Sequence, residues 1–292
     1  MVIIIEGFLV IIDGKKFAQK IKKKVKKEIQ FIKKKTRLTP GLAVILLGHH
    51  APSEIYVRNK QISAREVGIN SKVLRFKSSI SEARLISVIR KLNKDKKVHG
   101  ILVQLPLPSH INGHKIIEEI DSRKDVDGFH PTNVGNLSSG KDSLVPCTPL
   151  GCYLMIKSIR KNLAGLNALV IGRSNLNGKP MAQLLLREDC TVTIGHSKTK
   201  NLKELCKKAD IVVAAVGKAN LVKGDWVKKG AIVIDVGINR IEKKKGYKIV
   251  GDVEFKEVVK KAKAITPVPG GVGPVTIACL LNNTLKAFKN IN

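Results

Sequence analysis

The sequence predicts an α/β protein of two domains, and three observations lead there. Short apolar runs bounded by glycine or proline alternate with amphipathic stretches of three- or four-residue spacing, the rhythm of a layered α/β fold. That rhythm breaks once, over residues 121–149, in a segment rich in Gly, Pro, Asn and Ser. With 292 residues and 43% hydrophobic content, the chain is long enough for two cores of ordinary domain size.

In chain order, the Val- and Ile-rich residues 1–10 read as a short extension or an edge strand. Phe17, Ile21, Val25, Ile29 and Ile32 then recur on one helical face, and the lysines between positions 15 and 35 fall on the solvated side. Pro40-Gly41 ends that helix, and residues 42–47 form an apolar run suited to a buried parallel strand. Residues 53–67 are helical in pattern, 72–76 extended, 81–92 helical behind a serine N-cap, and 100–105 a second buried strand stopped by Pro106. Thr148-Pro149 opens a helix reaching about residue 162, with threonine as the N-cap and proline in the first helical position. Strand 168–171, helix 180–188, strand 191–194, helix 201–209 and strands 211–215 and 231–236 then compose a doubly wound, dinucleotide-binding half. Residues 270–274 are a rigid Gly/Pro loop, and 275–288 a last helix that packs back on the first domain.

Composition removes several function classes. The net charge of +31, from 54 Lys and Arg against 23 Asp and Glu, raises nucleic acid as a partner. The densest lysine run lies on an amphipathic helix with no interleaved aromatics for base stacking, so a solvated face is the reading and no nucleic-acid partner is expected. Five cysteines without a C-x-x-C pair and seven histidines without ligand spacing predict neither a disulfide framework nor a metal. Residues 1–12 contain Glu6 and lack a basic leader, and no stretch holds 18 consecutive apolar residues, which predicts a cytoplasmic protein with no membrane partner.

The segment from Ala168 to Pro180, ALVIGRSNLNGKP, runs strand, turn, helix start, the arrangement that aims backbone N–H groups at a pyrophosphate. It departs from G-x-G-x-x-G, with Ser174 in place of the second glycine and a late Gly178, and a ligand-free turn has the same composition. One strand later the chain reads Gly195-His196-Ser197-Lys198. No acid stands there to take a ribose 2′-hydroxyl, while Arg173, Ser197 and Lys198 can meet an anion, so NADP is favoured over NAD. Lys198 also suits a plain surface lysine.

In the first half, Tyr56 and Lys60 are one helical turn apart on one face, a pairing that also fits a snorkelling lysine beside a half-buried ring. Gln104 interrupts a run that should be buried, and a buried amide needs a partner such as a lysine. Asp125-Val126-Asp127-Gly128 has the composition of an Asx-turn.

Taken together, YVRNK (56–60), GILVQLPLP (100–108), KDVDGFHPTNVGNL (124–137), PCTPLG (146–151), VIGRSNLNGKPMAQLLL (170–186), TVTIGHSKT (191–199), ADIVVAAVGKANLV (209–222), AIVIDVGINR (231–240), GDV (251–253) and TPVPGGVGPVTIACLLNNTL (266–285) resemble the bifunctional methylenetetrahydrofolate dehydrogenase/methenyltetrahydrofolate cyclohydrolase family, from about residue 11 to the end. The resemblance implies an N-terminal substrate domain over 1–147, joined by the final helix 275–292, and a C-terminal Rossmann-like NADP-binding domain over 148–274, with a cleft between them. It implies NADP-dependent oxidation of 5,10-methylenetetrahydrofolate to the methenyl form, then hydrolysis to 10-formyltetrahydrofolate. One-carbon supply to purine, methionine and histidine synthesis and a homodimer through the cofactor domain follow by the same analogy.

Residue by residue, the resemblance makes Tyr56 the group that stacks on the folate ring, Lys60 the catalytic group of the hydrolysis, Gln104 its partner and Asp127 the pterin anchor. An ammonium against an apolar wall loses charge stabilisation, which suits proton transfer near neutral pH, and a carboxylate suits paired N–H donors. Gly172, Arg173, Ser174, Gly178, Ser197 and Ile238 are assigned to the cofactor. Gly273 and Pro274 are assigned to the substrate, in a segment whose composition equally suits a structural turn. Ile62, where relatives are often basic, the lysine enrichment and the N-terminal extension depart from the family pattern. The alternatives are a single-activity NADP dehydrogenase of another small substrate, such as a shikimate-type acid, and a basic nucleic-acid-binding protein.

Overall fold

The computed structural model describes residues 3–5, 9–242 and 246–292. The chain divides into two compact units: Gln19–Cys147 with Ile277–Asn292, and Thr148–Thr276 with Met1–Ala18. The sequence reading put the first residues with the first domain. Instead, strand β1 (Ile3–Ile5) pairs antiparallel with β2 (Leu9–Ile11), and β2 runs parallel to the late strand β12 (Ala264–Ile265) of the other unit's sheet. The pattern of 1–10 carried strand propensity but not the partner. Residues 1, 2 and 6–8 of that expected extension lie outside the described residues.

The first unit is built on a three-stranded parallel sheet, β4-β3-β5, from β3 (Gly41–Leu47), β4 (Asn70–Phe76) and β5 (Gly100–Val103). Every residue of β3 and β5 is buried, as an unbroken Val/Ile/Leu run demands. Helix α1 (Gly14–Thr36) buries Val25 and Ile29 of its predicted apolar face, and α2 (Ala51–Val67) follows β3. In α3 (Glu82–Lys94), Ser81 caps the first turn by accepting from Arg84 N, and Leu85, Ile86, Ile89 and Leu92 join β3 and β5 in one core. Two short helices are absent from the sequence reading, α4 (Gly113–Glu118) before the irregular segment and α5 (Pro131–Ser138) within it, each started by a side-chain cap, Asn112 and His130. At the C-terminal end of α3 the buried Lys124 ammonium donates to the carbonyls of Leu92, Asn93 and Asp95 at 3.2, 2.8 and 2.9 Å, which satisfies acceptors the helix cannot.

The second unit holds a seven-stranded sheet in the order β1-β2-β12-β9-β8-β6-β7, from β6 (Asn167–Ile171), β7 (Thr191–Gly195), β8 (Ile211–Ala214) and β9 (Ile232–Asp235) with the strands above. All its pairings are parallel except β1 with β2. After β6 the chain places β7 on one side and β8 on the other, so the strand order reverses at β6. Helices α7 (Gly178–Leu186) and α8 (Leu202–Lys208) make the crossovers. A hairpin of β10 (Asn239–Glu242) and β11 (Tyr247–Val250) and a four-residue helix α9 (Phe255–Val258) follow β9, all absent from the sequence reading.

Two helix starts differ from expectation. Helix α6 (Cys147–Ile159) begins two residues early, so Thr148 lies in its first turn and its hydroxyl meets that of Thr276 at 3.1 Å instead of capping. Helix α10 (Val272–Ile291) begins inside the expected loop, because Pro274 in a first turn needs no N–H partner. Among the described residues, no helix is long and apolar enough to cross a membrane.

Candidate active site

Helix α2 buries Ser53, Val57, Lys60, Ala64 and Val67, one stripe at helical spacing with a lysine where an aliphatic residue would ordinarily sit. Lys60 is only 9% exposed, and its Nζ donates to Gln104 Oε1 at 3.0 Å. Gln104 Nε2 in turn donates to Leu105 O at 2.7 Å, and the Gln104 backbone N–H continues the β5 ladder by donating to Ile45 O at 2.9 Å. The strand therefore fixes the amide, and the amide fixes the amine. Tyr56, one turn earlier, is 38% exposed, and partial burial pushes its hydroxyl above the ordinary tyrosine value.

Asp127 faces the same group. Burial raises its carboxyl, and the nearby Lys60 ammonium and the Cys147 thiol draw it back down. Its loop is held by Asp125, whose carboxylate accepts from the backbone N–H of Gly128 at 3.2 Å and of His130 at 2.8 Å and from Asn133 Nδ2 at 3.0 Å. Burial pushes Asp125 up to about 6 against those donors. Gly128 has φ +75°, and a side chain there would lie 2.5 Å from Leu144 O, so the turn admits glycine alone. The buried Cys147 thiol donates to Val126 O at 3.2 Å, and Asn283 of α10 donates to Val126 O and Val145 O at 2.9 and 2.8 Å. A buried lysine and thiol and a part-buried amide and carboxylate thus lie close together beside a half-exposed ring, a set able to hold a flat polar heterocycle and move a proton at its edge.

In the second unit, the loop after β6 lies where the strand order reverses, the place where a doubly wound sheet opens a crevice for a ligand. Gly172 has φ +129°, and a Cβ on it would meet Ala215 O at 2.4 Å. A Cβ on Gly178 would meet Gly172 O at 2.0 Å, so the loop folds back on itself as α7 begins. Ser174 Oγ accepts from Asn177 N at 3.1 Å. Arg173, Ser174 and Ser197 are exposed at the C-terminal ends of β6 and β7, and Ile238, after β9, is 54% exposed. The turn after β7 is closed by His196 N donating to Thr199 Oγ1 at 2.9 Å, with no carboxylate in it.

The structure brings Lys60, Gln104 and Asp127 together and puts Tyr56 on the same helix. It puts Gly172, Arg173, Ser174, Gly178, Ser197 and Ile238 at the carboxyl edge of one sheet. Gly273 and Pro274 lie in the first turn of α10, within the second unit. The sequence reading missed Asp125, Cys147 and Asn283. Asp125 read as half of a turn motif, and nothing local in PCTPLG or LLNNTL tells that a thiol and an amide are buried. Among the described residues, no group of three or more His, Cys, Asp or Glu could hold a metal ion.

Comparison with known proteins bears on both units. The tetrahydrofolate dehydrogenase/cyclohydrolase catalytic domain matches residues 12–127, and the NAD(P)-binding domain of the same family matches residues 146–292. The bifunctional protein FolD of Pelagibacter ubique is 62% identical over 281 residues, which cover 96% of this chain and 99% of that protein. Among solved structures, the bifunctional FolD methylenetetrahydrofolate dehydrogenase/cyclohydrolase of Campylobacter jejuni is 49% identical with a TM-score of 0.93, covering 97% of this chain and 99% of its own. The Trypanosoma brucei methylenetetrahydrofolate dehydrogenase-cyclohydrolase, solved with NADP and an inhibitor, is 37% identical with a TM-score of 0.93, covering 97% and 98%. Matched along both units and nearly end to end, the chain belongs to the tetrahydrofolate dehydrogenase/cyclohydrolase family.

Proposed function

We propose that the chain oxidises 5,10-methylenetetrahydrofolate with NADP and hydrolyses the methenyl product to 10-formyltetrahydrofolate. The observation that carries the residue-level reading is the Lys60–Gln104 bond at 3.0 Å, on a stripe where a lysine has no structural reason to be buried. The hydrolysis needs a proton taken from the attacking water and one delivered to the departing nitrogen. Lys60 is the group assigned to that transfer, with Gln104 fixing the direction of its amine. Asp127 anchors the pterin by accepting from its paired N–H donors, and Tyr56 stacks on the ring. Gly273 and Pro274 are assigned to the substrate.

NADP fits the second unit's loop. Gly172 and Gly178 keep side chains out of the turn, and Arg173, Ser174 and Ser197 offer donors where a 2′-phosphate would meet no carboxylate. When bound, NADP supplies the hydride acceptor. Ile238 is assigned to the apolar side of the same site. The single-activity alternative is not favoured, because both units match the two-activity family.

A homodimer through the second unit is part of the reading, supported by β7 as an edge strand with Ile194 exposed. Sedimentation velocity tests it, and a monomer at micromolar concentration removes it. Residence in the cytoplasm and one-carbon supply to purine, methionine and histidine synthesis complete the proposal. Deleting the gene should create a requirement for those products, and growth without them removes that assignment.

The test of function is spectrophotometric. Purified protein should reduce NADP with methylenetetrahydrofolate faster than it reduces NAD, and should speed the decay of added methenyltetrahydrofolate. Arg173→Ala should raise KM for NADP selectively. An unchanged preference between NADP and NAD in that variant refutes its role.

A further inference from the structure

We infer that Asp252, backed by Asp235, is a positioning residue of the cofactor site: its buried carboxylate fixes two backbone segments that border the loop assigned to NADP. The inference rests on the cofactor reading above and adds residues to which that reading gives no part.

Asp252 is fully buried and Asp235 nearly so. One oxygen of Asp252 accepts from the backbone N–H groups of Val216 and Gly217, at 2.7 and 3.0 Å, and the other accepts from Asn239 Nδ2 at 2.9 Å. Asp235 holds Asp252 in place, accepting from Asp252 N and Val253 N at 2.9 Å each and from Gly237 N at 3.1 Å. Two glycines make room for the carboxylates. A Cβ on Gly237 would lie 2.2 Å from Asp252 Oδ1, and one on Gly251 would lie 1.8 Å from Asp235 Oδ2.

The two held segments are those next to the assigned site. Val216 and Gly217 follow Ala215, whose carbonyl oxygen is the atom a Cβ on Gly172 would strike. Asn239 follows Ile238. One side chain therefore ties the segment after β8 to the segment after β9, both at the carboxyl edge of the sheet where its strand order reverses. Among the described residues neither carboxylate has an ion-pair partner, so each is held by N–H donors alone. Two adjacent buried acids without a cation are a poor way to gain stability and an effective way to fix loop backbone.

The experiment compares Asp252→Ala, Asp252→Asn and Asn239→Ala with the unaltered enzyme, measuring KM for NADP, kcat, and hydrolysis of added methenyltetrahydrofolate without NADP. Asp252→Ala leaves two backbone N–H groups and the Asn239 amide without their acceptor and should raise KM for NADP about tenfold. Its kcat at saturating NADP and its hydrolysis rate should stay within about twofold, because only cofactor geometry is disturbed. Asp252→Asn should restore KM to within about threefold, since its oxygen can take both backbone donors and a flipped Asn239 amide can accept from its new NH2 group. Asn239→Ala releases one segment only and should raise KM about threefold. An Asp252→Ala protein that is less stable but keeps its KM for NADP overturns the inference. Should that variant not fold, an unchanged KM in Asn239→Ala overturns it equally. Failure of the unaltered protein to reduce NADP while hydrolysis proceeds marks failure of the cofactor reading itself and removes the inference with it.

Discussion

Replacing Lys60 with methionine tests the hydrolytic assignment with the least disturbance of the fold. Methionine keeps most of the apolar stem, so the packing of the buried stripe of α2 changes little. What disappears is the ammonium 3.0 Å from Gln104 Oε1. That part-buried oxygen loses its donor, at a cost of about 1 kcal/mol, while Gln104 Nε2 keeps its bond to Leu105 O. Asp127 loses the cation that draws its carboxyl down, so burial acts on it less opposed. Loss of a positioned proton-transfer group should lower the hydrolysis roughly 10²- to 10⁴-fold. The oxidation asks no proton of Lys60 and should persist within about tenfold. Methenyltetrahydrofolate should therefore accumulate during turnover with NADP, and its added form should decay only at the buffer rate. A variant that hydrolyses at the full rate removes Lys60 from the mechanism.

Three further outcomes follow from the geometry. Gly178→Ala drives a methyl to 2.0 Å from Gly172 O and should raise KM for NADP more than about tenfold, whereas Gly135→Ala, with nothing within 4 Å, should change stability by less than about 1 kcal/mol; equal KM values in the two variants refute the self-packed loop. Lys124→Met deletes the donor to three carbonyls at the end of α3 and should cost about 2–4 kcal/mol by denaturant unfolding, with a loss under about 1 kcal/mol showing that water replaces the ammonium. Burial pushes Asp235 up to about 7, above its unfolded value near 3.9, so the folded state binds the proton more tightly between those limits. Its contribution to stability is full below about pH 4 and is lost as pH rises through about 7. The stability difference between the unaltered protein and Asp235→Asn should shrink over that window, and a pH-independent difference contradicts the assignment.

How much of this was legible depended on whether the signal was local. The run 42–47 announced a strand buried on both faces, and β3 is one. Ser81 announced a helix start and caps it. Gln104 was legible because a polar residue interrupting an apolar run must have a partner, and Lys60 is that partner; Tyr56 and Lys60 alone read as a ring beside a snorkelling lysine, and only the family resemblance gave them roles. Failures came where the deciding contact lies far along the chain. Nothing within residues 1–12 encodes pairing with residues 264–265, and α5 starts on a His130 cap inside a segment whose composition reads as loop. The hairpin at Asn239–Glu242 and Tyr247–Val250 has largely exposed strands bearing Arg240, Glu242 and Lys248, which resemble a solvated loop in sequence, with residues 243–245 outside the described set.

Four residues to which the sequence reading assigned no part share a physical character that explains both their invisibility and their use. Lys124, Asp125, Asp235 and Asp252 are buried charges whose partners are largely backbone groups. A backbone N–H or carbonyl carries no residue identity, so no sequence pattern points to it. Apolar burial favours strands and helices whose own ladders satisfy the backbone, but loops have no such ladder. A side chain that offers several acceptors or donors in one place can stand in for one. Asp125 does so for the turn that presents Asp127, and Asp252 for the turns beside the loop at Gly172. Burying such a charge costs stability unless every bond is made, which ties each loop to one conformation. In this chain the strands supply the scaffold and the buried charges supply the shape of the loops, so substitutions in the two sets should differ in kind. Loss of an aliphatic residue of β3 should lower stability and leave both KM values alone, while loss of Asp125 or Asp252, the two that shape a loop at an assigned site, should move KM first.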